Sequence, residues 1–245
     1  MFPFKDENPA ELAPVVTVGL IIANVAAWIF VQGMGARLQI SVCHYGMIPV
    51  ELTHQPLQGP EVCPLGGLTW GAIFTSMFMH GGWFHLGTNM MFMWVFGNNV
   101  EDSMGHIRFL VFYFVCGFVA AAGHVLLNAT SGMPTVGASG AISGIMGAYI
   151  VLYPQVRVHV FLPPFFLFSM RAYVVLGYWI VIQLLLGVGQ LGGSYTGGVA
   201  VWAHIGGFFA GLLLVKVFER PQLVDAKREG RRLDRGEIRS HRYWV

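Results

Sequence analysis

Charge is what this chain has least of. Asp, Glu, Lys and Arg make up 11% of its 245 residues, against 55% hydrophobic residues. The mean hydropathy is +0.62, and soluble domains carry roughly 25% charged residues. The scarcity is uneven: apolar stretches near 14–33, 83–100, 107–127, 138–153, 172–190 and 199–218 contain no Asp or Glu at all. That absence excludes an intramembrane aspartyl protease and carboxylate proton relays. No His-Glu-x-x-His run occurs, which removes a zinc metalloprotease of the usual kind. His80 and His85 are five apart, so they share no helix face, and no third ligand accompanies them; no metal and no cofactor is expected. There is no internal repeat and no low-complexity tract, so the chain reads as one domain.

What is present is long hydrophobic runs. A helix needs about 20 residues to cross a bilayer, and the six stretches named above give an all-α, polytopic membrane protein with a six-transmembrane-helix bundle. The second and fourth are short and contain Gly, His, Asn or Ser, so they are expected to sit partly in protein. The first run is too long for a signal peptide, holds Trp28 and has no small-residue cleavage site after a basic start, so it reads as a retained helix. The expected organisation is a short N-terminus (1–13), a membrane domain (14–218) with a long first loop (about 34–82), and a basic tail (219–245).

The net charge of +2 is uninformative, but its placement is not. With six spans, Lys5, Arg108, Arg157, Arg171 and the basic residues of the tail fall on one side, and Arg37 alone on the other. The positive-inside rule then puts both termini in the cytoplasm. Acidic residues interleave with the basic ones in the tail, so it reads as a solvated, topology-setting segment with no nucleic-acid partner. Cys43 and Cys63 fall in the outer loop, where a disulfide is chemically allowed; the sequence leaves their pairing open. Cys116 lies in the third span and reads as packing. The Gly-rich stretch 192–198 fits a mobile lid and a plain connector equally.

The residues left to do chemistry are Ser139, His204, His85 and Asn89. A serine hydroxyl needs a base to become a nucleophile, and histidine is the usual base near neutral pH. Ser139 opens the fourth apolar run, where unpaired helix N–H groups favour a developing oxyanion. His85 and Asn89 are four apart and on a helix would share a face. Gly137 and Gly140 permit a tight backbone at the serine. Gly140, Gly144 and Ala148 repeat at fours, as do Ala203, Gly207 and Gly211, so two helices can approach closely and bring His204 to Ser139.

Three stretches carry a resemblance. They are His80-Gly81-Gly82-Trp83-Phe84-His85-Leu86-Gly87-Thr88-Asn89, Gly137-Ala138-Ser139-Gly140, and the run from Ala203-His204 through Gly207 to Gly211. In order and spacing these resemble the motifs of the rhomboid family of intramembrane serine proteases, in its bacterial type, over roughly residues 68–215. The resemblance implies a six-helix bundle with a Ser139–His204 dyad and an oxyanion hole of Asn89, His85 and the Ser139 backbone N–H. It also implies a water-filled cavity open to the outer face, a gate formed by the fifth loop and helix, and hydrolysis of transmembrane substrates within the lipid bilayer. The small tails point to a bacterial inner membrane. Two positions depart from the pattern: Trp70-Gly71 replaces the Trp-Arg of many bacterial members, and Ser143 stands where some members place Tyr beneath the catalytic histidine. The sequence leaves open what orients His204. Competing classes are a non-catalytic protein that binds membrane helices, and a small channel lined by His85, Asn89 and His204.

Overall fold

A helix that begins in an apolar run needs outside acceptors for its first N–H groups. For the first long helix Glu101 supplies them, accepting the Val16 and Thr17 N–H groups at 2.9 and 2.8 Å and the Thr17 hydroxyl at 2.7 Å. Asp102 accepts the N–H groups of Glu11 and Leu12 at 3.0 and 2.8 Å. Negative charge at this position also suits the helix dipole. Both carboxylates are buried, Glu101 completely, and the segment that carries them is thereby tied to the N-terminal region.

The computed structural model describes residues 1–8, 11–59, 61–191 and 200–229. After strand β1 (Phe2–Asp6), helix α1 (Val15–Ala26) continues as a π-helical stretch to Gln32. The first loop folds into short helices α2 (Ala36–Tyr45), α3 (Pro49–Thr53) and α4 (Gly71–Thr75). Helix α5 (Trp83–Phe92) leads through a π turn into α6 (Asn98–Met104), followed by α7 (His106–Leu127) and α8 (Ser139–Leu152). Strands β2 (Arg157–Leu162) and β3 (Phe166–Arg171) precede α9 (Ala172–Leu191), α10 (Val201–Phe218) and α11 (Pro221–Arg228).

Among the described residues, four helical stretches are long and apolar enough to cross a membrane: Val15–Gln32, α7, α9 and α10. Only 28–39% of each is buried within the chain, and residues such as Ile22, Phe30, Leu126, Val188, Leu213 and Val217 point outward. Apolar side chains facing out on helices that satisfy their own backbone are what lipid contact requires. The chain is therefore an integral, multi-pass membrane protein. The second and fourth apolar runs, expected to be short and to sit partly in protein, are not among these four: helix α8 has 14 residues, 11 of them buried, and the 83–104 segment continues through its π turn into α6, whose residues from Asn99 to Met104 are buried.

The all-α expectation needs correction. β1, β2 and β3 form a three-stranded antiparallel sheet in that order, with Phe2 opposite Phe161 and Asp6 opposite Val158. Strands β2 and β3 pair with each other as a local hairpin, while β1, which completes the sheet, lies about 150 residues away from β2, beyond any local pattern. The sheet, the α6–α7 corner and α11 gather at one end. There Lys227 Nζ reaches Asp102 at 2.8 Å and Asn99 at 2.6 Å, and Arg228 bonds the Leu152 and Val151 carbonyls. So the regions before residue 14 and after Phe218 are not loose appendages over their described residues. At the far end of α7 lies the first loop, closed by a Cys43–Cys63 disulfide.

Helix α8 runs through the core, and glycine sets its distance from α10. A Cβ on Gly207 would stand 2.0 Å from the Gly140 carbonyl oxygen, and one on Gly211 would stand 1.8 Å from that of Gly144. The two backbones touch directly, with Cys116 of α7 filling the opposite side of Gly144.

Candidate active site

The chain approaches Ser139 in an extended form imposed by the first loop. Met47 and Thr135 exchange backbone hydrogen bonds of 3.0 and 2.8 Å, and the Gly137 N–H donates to the Ser76 carbonyl at 2.9 Å. Gly137 then adopts φ +132°, in a region glycine tolerates and other residues resist. A Cβ there would lie 2.9 Å from His85 Nε2 and 3.4 Å from Ser139 Oγ. The glycine thus leaves room for an imidazole beside the serine. Ser139 is the first residue of α8, so its N–H has no acceptor within the helix.

His204 sits in the first turn of α10, and the glycine contact between α8 and α10 brings the two side chains together. Its Nε2 lies 2.8 Å from Ser139 Oγ across 65 residues of sequence. The other ring nitrogen, Nδ1, lies 2.8 Å from Oε1 of Gln183 on α9. One turn earlier on α9, the Trp179 ring lies 5.7 Å from the imidazole between centroids, tilted by 44°. Ser143 does not take the place of an aromatic beneath the histidine. Its hydroxyl turns back to the Ser139 carbonyl at 2.6 Å.

His85 and Asn89 occupy one face of α5. The Gly81 N–H donates to His85 Nδ1 at 3.2 Å, which leaves the proton on Nε2, the nitrogen beside Gly137. The His80 ring stands edge-on to that of His85 at 5.2 Å. The His80 backbone is gripped on both sides by the Gln32 amide, with two bonds of 2.7 Å. Asn89 is 6% exposed, and its Nδ2 has no hydrogen-bond partner among the described residues. Asn89 lines the cavity described below, so this donor is free to meet an acceptor that enters it.

These groups share a cavity of about 880 Å³ that His85, Asn89, Ser139, His204 and Trp179 help to line. The volume lies within the range of ligand sites. His124 of α7 also lines it, its Nε2 3.0 Å from the Thr135 hydroxyl. Among the described residues no group of three or more His, Cys, Asp or Glu could hold a metal ion. The stretch 192–198, expected as lid or connector, lies outside the described residues.

Of the sequence candidates, the structure brings Ser139, His204, His85 and Asn89 to one cavity, and places Gly137 against His85. Gly140, Gly144, Gly207 and Gly211 line the α8–α10 contact. Sequence reasoning missed Gln183, Trp179, His124 and Gln32. For Gln183 a signal existed: it is an amide in the middle of an otherwise apolar span, where a polar side chain needs a partner. Its direction could not be read.

Comparison with known proteins adds the following. Residues 67–221, more than half of the chain, match the Rhomboid domain. RHOMBOID-like protein 6, mitochondrial, of Arabidopsis thaliana is 29% identical over 175 residues, covering 66% of this chain and 52% of the relative. Rhomboid-like protease 5 of Toxoplasma gondii is 30% identical over 151 residues, covering 60% and 15%. Inactive RHOMBOID-like protein 8 of Arabidopsis thaliana is 30% identical over 112 residues, covering 41% and 31%. The chain thus spans about half the length of the first relative and less of the others. All three relatives are eukaryotic, so the expected bacterial type and bacterial inner membrane gain no support. One is named a protease and another inactive, so activity must be argued from the site itself. With the domain match covering its membrane core, the chain belongs to the rhomboid family.

Proposed function

We propose that this protein is an intramembrane serine endopeptidase that cleaves peptide bonds in or beside transmembrane segments of other membrane proteins. The observation that carries the reading is the 2.8 Å contact between His204 Nε2 and Ser139 Oγ inside a cavity. The same cavity is lined by Asn89, whose Nδ2 has no partner among the described residues. Ser139 Oγ attacks the scissile carbonyl carbon while its proton passes to His204 Nε2. The negative charge that develops on the carbonyl oxygen is met by Asn89 Nδ2, His85 Nε2–H and the Ser139 backbone N–H. The C–N bond then breaks, and His204 returns the proton to the leaving amine. In the second half a water attacks the acyl carbon and gives a proton to His204; the ester C–O bond breaks, and His204 passes that proton to Ser139 Oγ as the carboxylic acid product leaves.

The surroundings support this chemistry. No carboxylate is needed to complete the pair, and among the described residues no Asp or Glu lines the cavity. A transmembrane helix has its carbonyls hydrogen-bonded internally, so a substrate must open locally before Ser139 reaches one. Six crossings, counting α8 and the α5–α6 segment, would place both termini in the cytoplasm and the cavity mouth on the opposite face. The Cys43–Cys63 disulfide fits that face meeting an oxidising compartment.

The test is labelling of the purified, detergent-solubilised protein with a fluorophosphonate, alongside Ser139→Ala and His204→Ala. Labelling of the unaltered protein alone, mapped to Ser139, is the expected result. Absence of labelling together with absence of cleavage in bilayers, in well-folded protein, would leave a helix-binding protein without activity.

A further inference from the structure

We infer that Gln183 is the positioning residue for His204: a neutral acceptor on α9 that fixes which ring nitrogen carries the proton. The inference rests on the dyad reading above and extends it. For His204 to take the Ser139 proton, Nε2 must be unprotonated, so the ring proton must reside on Nδ1. A buried Nδ1–H requires an acceptor, and the atom 2.8 Å away is Gln183 Oε1. The reversed amide would point an N–H at Nδ1 and fix the other tautomer, with Nε2 protonated towards Ser139 and unable to act as a base. The oxygen-inward amide is therefore the functional feature.

Two further observations fit the role. Gln183 is only 8% exposed on a helix with no charged residue, and a buried amide in such a place is costly unless paired. Trp179, one turn before it, lays its ring against His204 and against Phe208. Helix α9 thus holds the imidazole by its edge and its face, while Ser143 is turned away from it. The nucleophile rides on α8, the base on α10 and the acceptor on α9. The base is in register only when all three helices are seated. A neutral amide also avoids placing a carboxylate among apolar helices, where charge is expensive.

The experiment compares the full-length protein in proteoliposomes with Gln183→Met, which keeps length but removes the acceptor, and Gln183→Glu, which can accept as Gln183 does. Gln183→Met should lose about 10–100-fold in kcat with KM changed less than about 2-fold. Gln183→Glu should keep most of the activity and move the acid limb of the pH–rate profile upward, because a carboxylate stabilises the imidazolium. With ¹⁵N-labelled histidine, the His204 proton should be found on Nδ1 in the unaltered protein and in Ser139→Ala. Wild-type kcat in Gln183→Met, or a His204 proton on Nε2 in the unaltered protein, would overturn the inference. If Gln183→Met does not fold, the tautomer measurement and the Gln183→Glu profile decide by themselves. Fluorophosphonate labelling and bilayer cleavage by the unaltered protein test the dyad separately: failure of both removes the protease reading, while the Nδ1 signal still reports the Gln183 contact.

Discussion

Replacing Gly207 by alanine should disable the site without touching any residue that meets substrate. The added Cβ would stand 2.0 Å from the Gly140 carbonyl oxygen and 2.9 Å from its carbon, with Ala120 Cβ at 3.4 Å. Ordinary contact begins near 3.4 Å, and backbone on both sides leaves no flexible side chain to yield. Helices α8 and α10 must therefore part by about 1.4 Å along that line. Ser139 precedes Gly140 by one residue and His204 precedes Gly207 by three. The same movement takes the 2.8 Å contact towards about 4 Å, past hydrogen bonding. Displacement of about 1 Å at a reacting pair costs about 100-fold in rate, and overpacking costs about 1–3 kcal/mol of stability. The assay is cleavage of a transmembrane substrate in proteoliposomes, with thermal unfolding measured in parallel. Gly177→Ala is the control, since nothing lies within 4 Å of its added Cβ. Wild-type kcat in Gly207→Ala would refute the reasoning that glycine contact sets the distance between Ser139 and His204.

Further outcomes follow from other parts of the molecule. Asn89→Ala should lower kcat by about 100–1,000-fold with little loss of stability, because Asn89 Nδ2 has no partner to lose; a stability loss equal to that of Gly207→Ala would count against it. Cys43→Ser should cost about 3 kcal/mol, since the bridge spans 20 residues; an unfolding midpoint insensitive to reductant would contradict this. Burial pushes the Asp6 carboxyl up to about 6, against the pull of its Tyr149 hydrogen bond and of Lys227. A raised acid pKa favours the folded state while the group is protonated. That contribution is therefore full below about 3.8 and lost as pH rises through about 6, up to about 3 kcal/mol in all. Amide exchange across Phe2–Asp6 should be slower at pH 4 than at pH 7.5 after correction for intrinsic rates, and Asp6→Asn should remove most of the difference; an unchanged difference would exclude Asp6 as the cause.

What could be read without coordinates was whatever depends on neighbours along the chain. Apolar runs without acidic residues declare membrane helices because lipid cannot solvate charge, and glycines at spacings of four declare a face that another helix can approach. Ser139 as the first residue of its helix, and His85 and Asn89 one turn apart, are likewise local facts. What remained hidden depends on partners far apart in sequence. The sheet joins Phe2–Asp6 to Arg157–Leu162, and nothing near either segment announces the other. The shortness and small residues of α8 point to partial enclosure by protein, but not to which helices enclose it. Whether Cys43 and Cys63 meet depends on how the first loop returns on itself. The orientation of His204 depends on the rotation of α9, which aims Gln183 and Trp179 at one ring from 21 and 25 residues upstream. The sequence by itself determined a membrane bundle and the chemical groups it carries. Only the tertiary structure decided which groups touch, because hydrogen bonds act over about 3 Å, and local periodicity leaves distances between helices undetermined.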